Sequence, residues 1–255
     1  MLGGHRCFGP GLRRGDAYAG ATPAAGRQAD KAELKRLAIL ISGRGSNMAA
    51  LIEAARAGEI DAGIGIVISN RPEAAGLKIA AAAGVKTAVV DHRGFADRRE
   101  FERSLIIAID GAAPDLIVLA GFMRILSPAF VSRYAGRLLN IHPSLLPAYP
   151  GVDTHRRALA DGVRIHGCTV HFVTADIDCG PIVAQGAVAV ADGEDAATLA
   201  ARVLAVEHRL LVRAVRLFCA GRLSIAGARV RIRGETAEPA VLEAPSEKAT
   251  NSAPP

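Results

Sequence analysis

From residue 37 to residue 220, short apolar runs alternate with longer stretches of helical periodicity. Leu37–Ser42, Ala62–Ser69, Thr87–Asp91, Asp115–Ala120 and Leu138–His142 read as strands, and their near-continuous apolar character suits burial on both faces. Met48–Ala57, Ala74–Ala83, Phe95–Gly111 and Pro128–Ala135 read as the helices between them. This alternation predicts an α/β fold, with a doubly wound, mostly parallel, Rossmann-like sheet. Ile165–Thr174 and Ile182–Val190 read as longer strands added to that sheet. Over Ala196–Ala220, Leu199, Val203, Val206, Leu210, Ala214 and Leu217 fall at helical spacing, so this helix should pack on the sheet. Gly221 is placed to end it. A single folded domain is expected over residues 37–234.

Composition changes this picture little. The chain has 255 residues, half of them hydrophobic, enough to bury one sizeable core. Its formal charge is +6, but seven Lys/Arg against three Asp/Glu fall in residues 1–36. The body is therefore close to neutral, which argues against a nucleic-acid face. The Arg-, Gly- and Ala-rich opening reads as a flexible extension or a misplaced start, since Asp16, Asp30 and Glu33 dilute a targeting pattern. Residues 235–255, rich in Ala, Pro, Glu and Ser, read as a second flexible tail. Cys7, Cys168, Cys179 and Cys219 show no CxxC spacing, which fits a reducing, cytoplasmic setting. No apolar run approaches the roughly 18 residues of a membrane span.

The most telling stretch is Asn140-Ile141-His142, which closes an apolar strand and runs into Pro143-Ser144-Leu145-Leu146-Pro147. Residues two apart on a strand share a face, so Asn140 and His142 project together. Pro143 keeps His142 extended. An amide donor beside an imidazole suits oxyanion stabilisation and proton transfer, although such a pair can also simply close a strand. Ser42-Gly43-Arg44-Gly45-Ser46-Asn47 lies between the first strand and the first helix, where glycines and free N–H groups can cradle a phosphate. The plain alternative is a Gly turn capped by Ser46 or Asn47. Met48 stands where a dinucleotide fingerprint needs its third glycine.

Leu119–Pro128 leaves a buried strand and offers an apolar and basic loop that could grip a flat ligand; alternatively, Phe122 and Leu126 finish the core. In the segment His166–Thr174, a metal site of His166, Cys168 and His171 is disfavoured, because the two histidines lie an odd number apart and face opposite ways. Asp178, in a Gly-Pro-bounded loop, could cap a turn or reach His142, where a carboxylate would orient the ring and favour its charged form. Three of these segments sit at carboxyl ends of predicted parallel strands, the edge that lines the ligand crevice in open α/β sheets.

Taken together, SGRGSN, LAGFMRILSP, GRLLNIHPSLLP and HGCTVHFV with Asp178 resemble the phosphoribosylglycinamide formyltransferases, folate-dependent enzymes of purine biosynthesis. The resemblance runs collinearly from about Leu37 to Arg222. It implies formyl transfer from 10-formyltetrahydrofolate, as co-substrate, to the amine of glycinamide ribonucleotide, without a metal. It implies that Asn140, His142 and Asp178 form the catalytic trio and that Gly45, Ser46 and Asn47 hold the phosphate. Glu207 matches a ribose-contacting carboxylate. Arg98, Met123, Arg124, Ile125, Leu126 and Asn140 match the folate site, with Thr174, Ala175, Asp176, Ile177 and Asp178 beside the pterin. Spacing alone would make Arg98 and Glu207 solvated helix charges. Cys179 departs from the family, which usually has a small residue there, often Gly. Small molecules are the implied partners, with no nucleic acid and no membrane, for a monomer or homodimer. The rivals are a formyltetrahydrofolate hydrolase, a methionyl-tRNA formyltransferase and a non-catalytic nucleotide-binding module. The first would usually carry an N-terminal regulatory domain and the second an added C-terminal domain.

Overall fold

The computed structural model describes residues 34–234 and Ala244; most of the two expected tails lies outside them. The chain from Lys35 builds nine strands into one sheet with the order β3-β2-β1-β4-β5-β6-β7-β9-β8. They are β1 (Lys35–Ile41), β2 (Ala62–Ser69), β3 (Thr87–Val89), β4 (Leu116–Leu119), β5 (Leu138–His142), β6 (Ile165–Phe172), β7 (Ile182–Ala189), β8 (Leu223–Ala226) and β9 (Arg229–Ile232). The helices are α1 (Ser46–Arg56), α2 (Ala75–Ala82), α3 (Arg98–Asp110), α4 (Pro128–Arg133), α5 (Thr154–Ala160) and α6 (Ala196–Cys219). Strands β3, β2, β1, β4 and β5 pair in parallel, and β6 and β7 add antiparallel. This is the mostly parallel, doubly wound sheet that the apolar runs predict.

The reason is visible in β1. Leu37, Ile39 and Ile41 enter the core beneath α1 and α6, and Ala38 and Leu40 enter the core beneath α3 and α4. All five are fully buried, so both faces of the strand must be apolar. The strand also takes in Lys35 and Arg36, two residues earlier than expected. Asp115 draws them in, pairing with the Lys35 ammonium at 2.9 Å and accepting the Arg36 N–H at 2.8 Å.

Three further differences have local causes. The helix expected from Phe95 begins at Arg98, because Asp97 accepts the Glu100 N–H and caps it there. Helix α5 is too short for periodicity to reveal. The β8–β9 hairpin is largely exposed, so its apolar signal is weak; it joins β7 through the single pair Ile182–Arg229. Among the described residues, no helix is long and apolar enough to cross a membrane.

The chain folds β1→β2→β3 to one side of β1 and places β4 and β5 on the other. The carboxyl ends of β1 and β4 therefore flank a topological switch point, where open α/β sheets bind ligands.

Candidate active site

Strand β5 presents the first pair. Leu139 and Ile141 are buried in the core under α1 and α6, so Asn140 and His142 turn to the opposite face. His142 is 5% exposed. Its Nδ1 lies 3.4 Å from Asp178 Oδ2, and its Nε2 lies 2.9 Å from the Tyr149 carbonyl oxygen. Both ring nitrogens thus face oxygen acceptors, an arrangement that a doubly protonated imidazolium satisfies.

Asp178 is held as firmly. Its Oδ2 accepts the Gly151 N–H at 2.8 Å. Its backbone is left-handed, φ 55°, a conformation Asp tolerates better than most side chains. Gly180 allows the turn behind it, because a Cβ there would stand 1.7 Å from the Phe172 carbonyl oxygen. The loop opposite is knitted to β6: Thr169 Oγ1 accepts the Leu146 N–H and donates to the Ser144 carbonyl, and the Ser144 hydroxyl donates to the Ala148 carbonyl. Behind that loop His155 and His166 meet at 3.2 Å. Burial pushes both below the ordinary imidazole range, His166 down to about 4.

Sequence reasoning missed His171 as a site residue. The antiparallel register puts it directly across from Asn140, and the Asn140 carboxamide contacts its Nε2 at 3.1 Å. Only that register could have revealed the pairing, since 31 residues separate the two.

At the carboxyl end of β1, the structure overturns the capped-turn alternative. The residue before α1 is Gly45, in a left-handed conformation of φ 75°, and no side chain caps the helix. The helix start is left open to an anion. Asn47 turns inward instead and donates from Nδ2 to Glu207 Oε2 at 2.7 Å, while its Oδ1 is buried without a protein partner. Glu207 is therefore no solvated helix charge. It is 7% exposed, because α6 packs against α1 across this contact. Burial raises its pKa, opposed by the Asn47 hydrogen bond and by Arg44. Arg98, in contrast, is exposed at the start of α3.

The loop after β4 is pinned at both ends. Ser42 Oγ accepts the Met123 N–H at 2.7 Å and donates to Asn70 Oδ1, tying the end of β1 to this loop. At the far end, the buried Glu102 carboxylate accepts the Ser127 N–H and the Ser127 hydroxyl. In this loop Phe122 and Leu126 are buried, which spends the Leu126 side chain on the core. Met123 and Ile125 are left about 60% exposed, with Arg124 between them. The Thr174–Ile177 stretch bulges outward, with Thr174 Oγ1 on the Asp176 carbonyl and Ala175 and Ile177 exposed.

The structure thus joins His142 to Asp178, Asn140 to His171 and Asn47 to Glu207, and ties the Met123 loop to β1. Arg98, Arg124 and Thr174–Ile177 make no described contact with the trio. Among the described residues, no group of three His, Cys, Asp or Glu is placed to hold a metal.

A carboxylate-paired imidazole on the same strand face as a carboxamide, at the carboxyl edge of the parallel sheet, is an arrangement suited to acyl transfer. The formyl transferase family model matches residues 35–215, and the chain belongs to that family. It is 49% identical over 189 residues to phosphoribosylglycinamide formyltransferase of Escherichia coli, covering 74% of this chain and 89% of that one. Glycinamide ribonucleotide transformylase 1 from Symbiobacterium toebii superposes with a TM-score of 0.78 at 43% identity, over 81% of this chain and 98% of that one. Phosphoribosylglycinamide formyltransferase from Brucella melitensis gives 0.71 at 52% identity, over 76% and 100%.

Proposed function

We propose that the protein transfers the formyl group of 10-formyltetrahydrofolate to the amine of glycinamide ribonucleotide in purine biosynthesis, in the cytoplasm. The observation that carries this reading is the His142–Asp178 contact, one residue along the strand face from the Asn140 amide. The relatives' names point to the same acceptor and to a formyl group as what is moved. The open start of α1, at Gly45, Ser46 and Asn47, suits the phosphate, and the buried Glu207 carboxylate suits the ribose hydroxyls. Met123, Ile125 and Ile177 offer exposed apolar surface to a flat folate ring. Arg98 and Arg124 are free to meet the acidic end of that donor.

The uncharged amine attacks the formyl carbon. A C–N bond forms, and the carbonyl π pair moves onto oxygen. The Asn140 N–H and the positive charge of imidazolium His142 stabilise that oxyanion. Asp178 holds the ring in place. Collapse of the intermediate expels the folate N10, which takes up a proton as the new amide nitrogen gives one up. At rest His142 Nε2 is engaged with the Tyr149 carbonyl oxygen. It reaches the reacting atoms as a proton carrier only by releasing that carbonyl or through water. Holding both substrates in one crevice supplies orientation as well.

The test mixes the purified protein with 10-formyltetrahydrofolate and follows tetrahydrofolate release, with and without glycinamide ribonucleotide. Release that requires the ribonucleotide is the expected result. Release without it would mean hydrolysis, a reaction with no use for the anion cradle. Binding of both ligands with no release would mean a non-catalytic module.

A further inference from the structure

His171 is 2% exposed, and the steps outlined above give it no role. Its Nδ1 lies 3.0 Å from the Phe172 carbonyl oxygen, which can only accept, so Nδ1 carries a proton. Burial, the largest influence on the ring, pushes its pKa below the ordinary range; the Phe172 carbonyl and Asp178 oppose this, and His142 reinforces it. At neutral pH the ring therefore carries one proton and Nε2 is a lone pair. The Asn140 atom 3.1 Å from Nε2 must then be the amide nitrogen. One amide hydrogen is spent on His171. The second stays available on a residue that is only partly buried.

We propose that His171 is a positioning residue for formyl transfer: with its proton on Nδ1, it fixes the Asn140 carboxamide in the orientation that leaves one N–H for the oxyanion. The inference rests on the formyl-transfer reading of the crevice. A second proton on the ring would undo the arrangement. Nε2 would become a donor, and the amide would turn its oxygen inward, or the ring would move to Asp178 Oδ1, 3.8 Å away. The latter would compete with His142 for the same carboxylate. His142 from β5 and Asp178 from the β6–β7 loop are the titratable groups facing the ring, and its cross-strand neighbour on β7, Ile182, carries no charge.

Two measurements test this. Long-range 15N–1H spectra of the intact protein at neutral pH should show His171 as the Nδ1–H tautomer. An Nε2–H signature overturns the proposal, whatever reaction the protein performs. Steady-state kinetics then compare His171→Leu with His171→Gln, whose side-chain carbonyl can still accept from Asn140. The Leu variant should lose about 10- to 100-fold in kcat with each KM within about twofold, the pattern of an interaction made in the transition state. The Gln variant should recover most of that loss. In an Asn140→Ala background, His171→Leu should cost little more. A Leu variant with unchanged kcat, a Gln variant as impaired as Leu, or full additivity with Asn140→Ala would each overturn the assignment. Should the Leu variant not fold, the tautomer and the Gln variant still decide. Wild-type protein without ribonucleotide-dependent turnover would instead sink the formyl-transfer reading and leave the tautomer result standing.

Discussion

At the β1 end of the proposed site the groups offered to substrate are mostly backbone: an uncapped helix start, shaped by Gly45 and braced where the Gly76 N–H meets the Gly43 carbonyl at 3.0 Å. At the β5 end they are side chains, His142, Asp178, Asn140 and His171, each held by another polar group. The difference follows from the tasks. A phosphate keeps its charge throughout the reaction, and fixed peptide dipoles suit it at any pH. A formyl carbonyl changes charge as it reacts and needs groups that carry or move protons. The two ends should therefore fail differently, the first in binding and stability, the second in turnover and in response to pH.

The sharpest separation is Asp178→Asn. It should lower kcat by about 100-fold or more, since an oriented ring loses its anionic partner. The melting temperature should shift little, because the amide oxygen can still accept the Gly151 N–H. Near-normal turnover would remove Asp178 from the mechanism. The next largest effect is on stability in acid. His166 binds its proton only near pH 4 when folded and near 6.5 when unfolded. Between those values the unfolded state holds more protons, so this contribution is intact above about pH 6.5 and is lost as pH falls toward 4. The full shift corresponds to about 3 kcal/mol at most. Urea midpoints at pH 7.5 and pH 5 should diverge in the wild type and converge in His166→Gln. An unchanged gap would assign the acid sensitivity elsewhere.

Most of both ends was legible in the sequence, with one residue at each that was not. Residues that form the parallel core announce themselves as apolar runs, because burial on both faces leaves no polar alternative. The motif from Ser42 to Asn47 sits where a strand meets a helix, so its place at the carboxyl end of β1 followed from local order. Two things did not follow. Glu207 reads as one more charge on a long helix until α6 is seen packed against α1, with Asn47 on its carboxylate. His171 reads as one of two histidines on opposed faces until β6 runs antiparallel to β5 and sets it opposite Asn140. Both are pairings between distant segments, and periodicity within a segment carries no register between segments.

The β1 end has its own tests, with smaller effects. Gly45→Ala forces a side chain into φ 75° and sets its Cβ about 2.8 Å from the Gly76 Cα. The cost should be about 2 kcal/mol of stability. KM for the ribonucleotide should rise well before kcat falls. A variant that lost kcat at constant KM would tie the cradle to the chemical step and erase the contrast between the two ends.

Glu207→Gln makes the finest cut. Because burial raises the Glu207 pKa, its stabilising contribution is present below the ordinary carboxylate value and is lost as pH rises through the folded-state value. When ionised, the group is a buried charge with one amide donor. Its neutral isostere, whose oxygen still accepts from Asn47 Nδ2, should stabilise the protein by about 1 kcal/mol. The same change should raise KM for the ribonucleotide severalfold at unchanged kcat, since an amide accepts from ribose hydroxyls more weakly than a carboxylate. Denaturant midpoints and KM from one preparation settle it. Stability and affinity moving in opposite directions would mean that the fold tolerates this buried charge for the sake of the substrate. If both fell together, Glu207 would be a structural partner of Asn47 and nothing more.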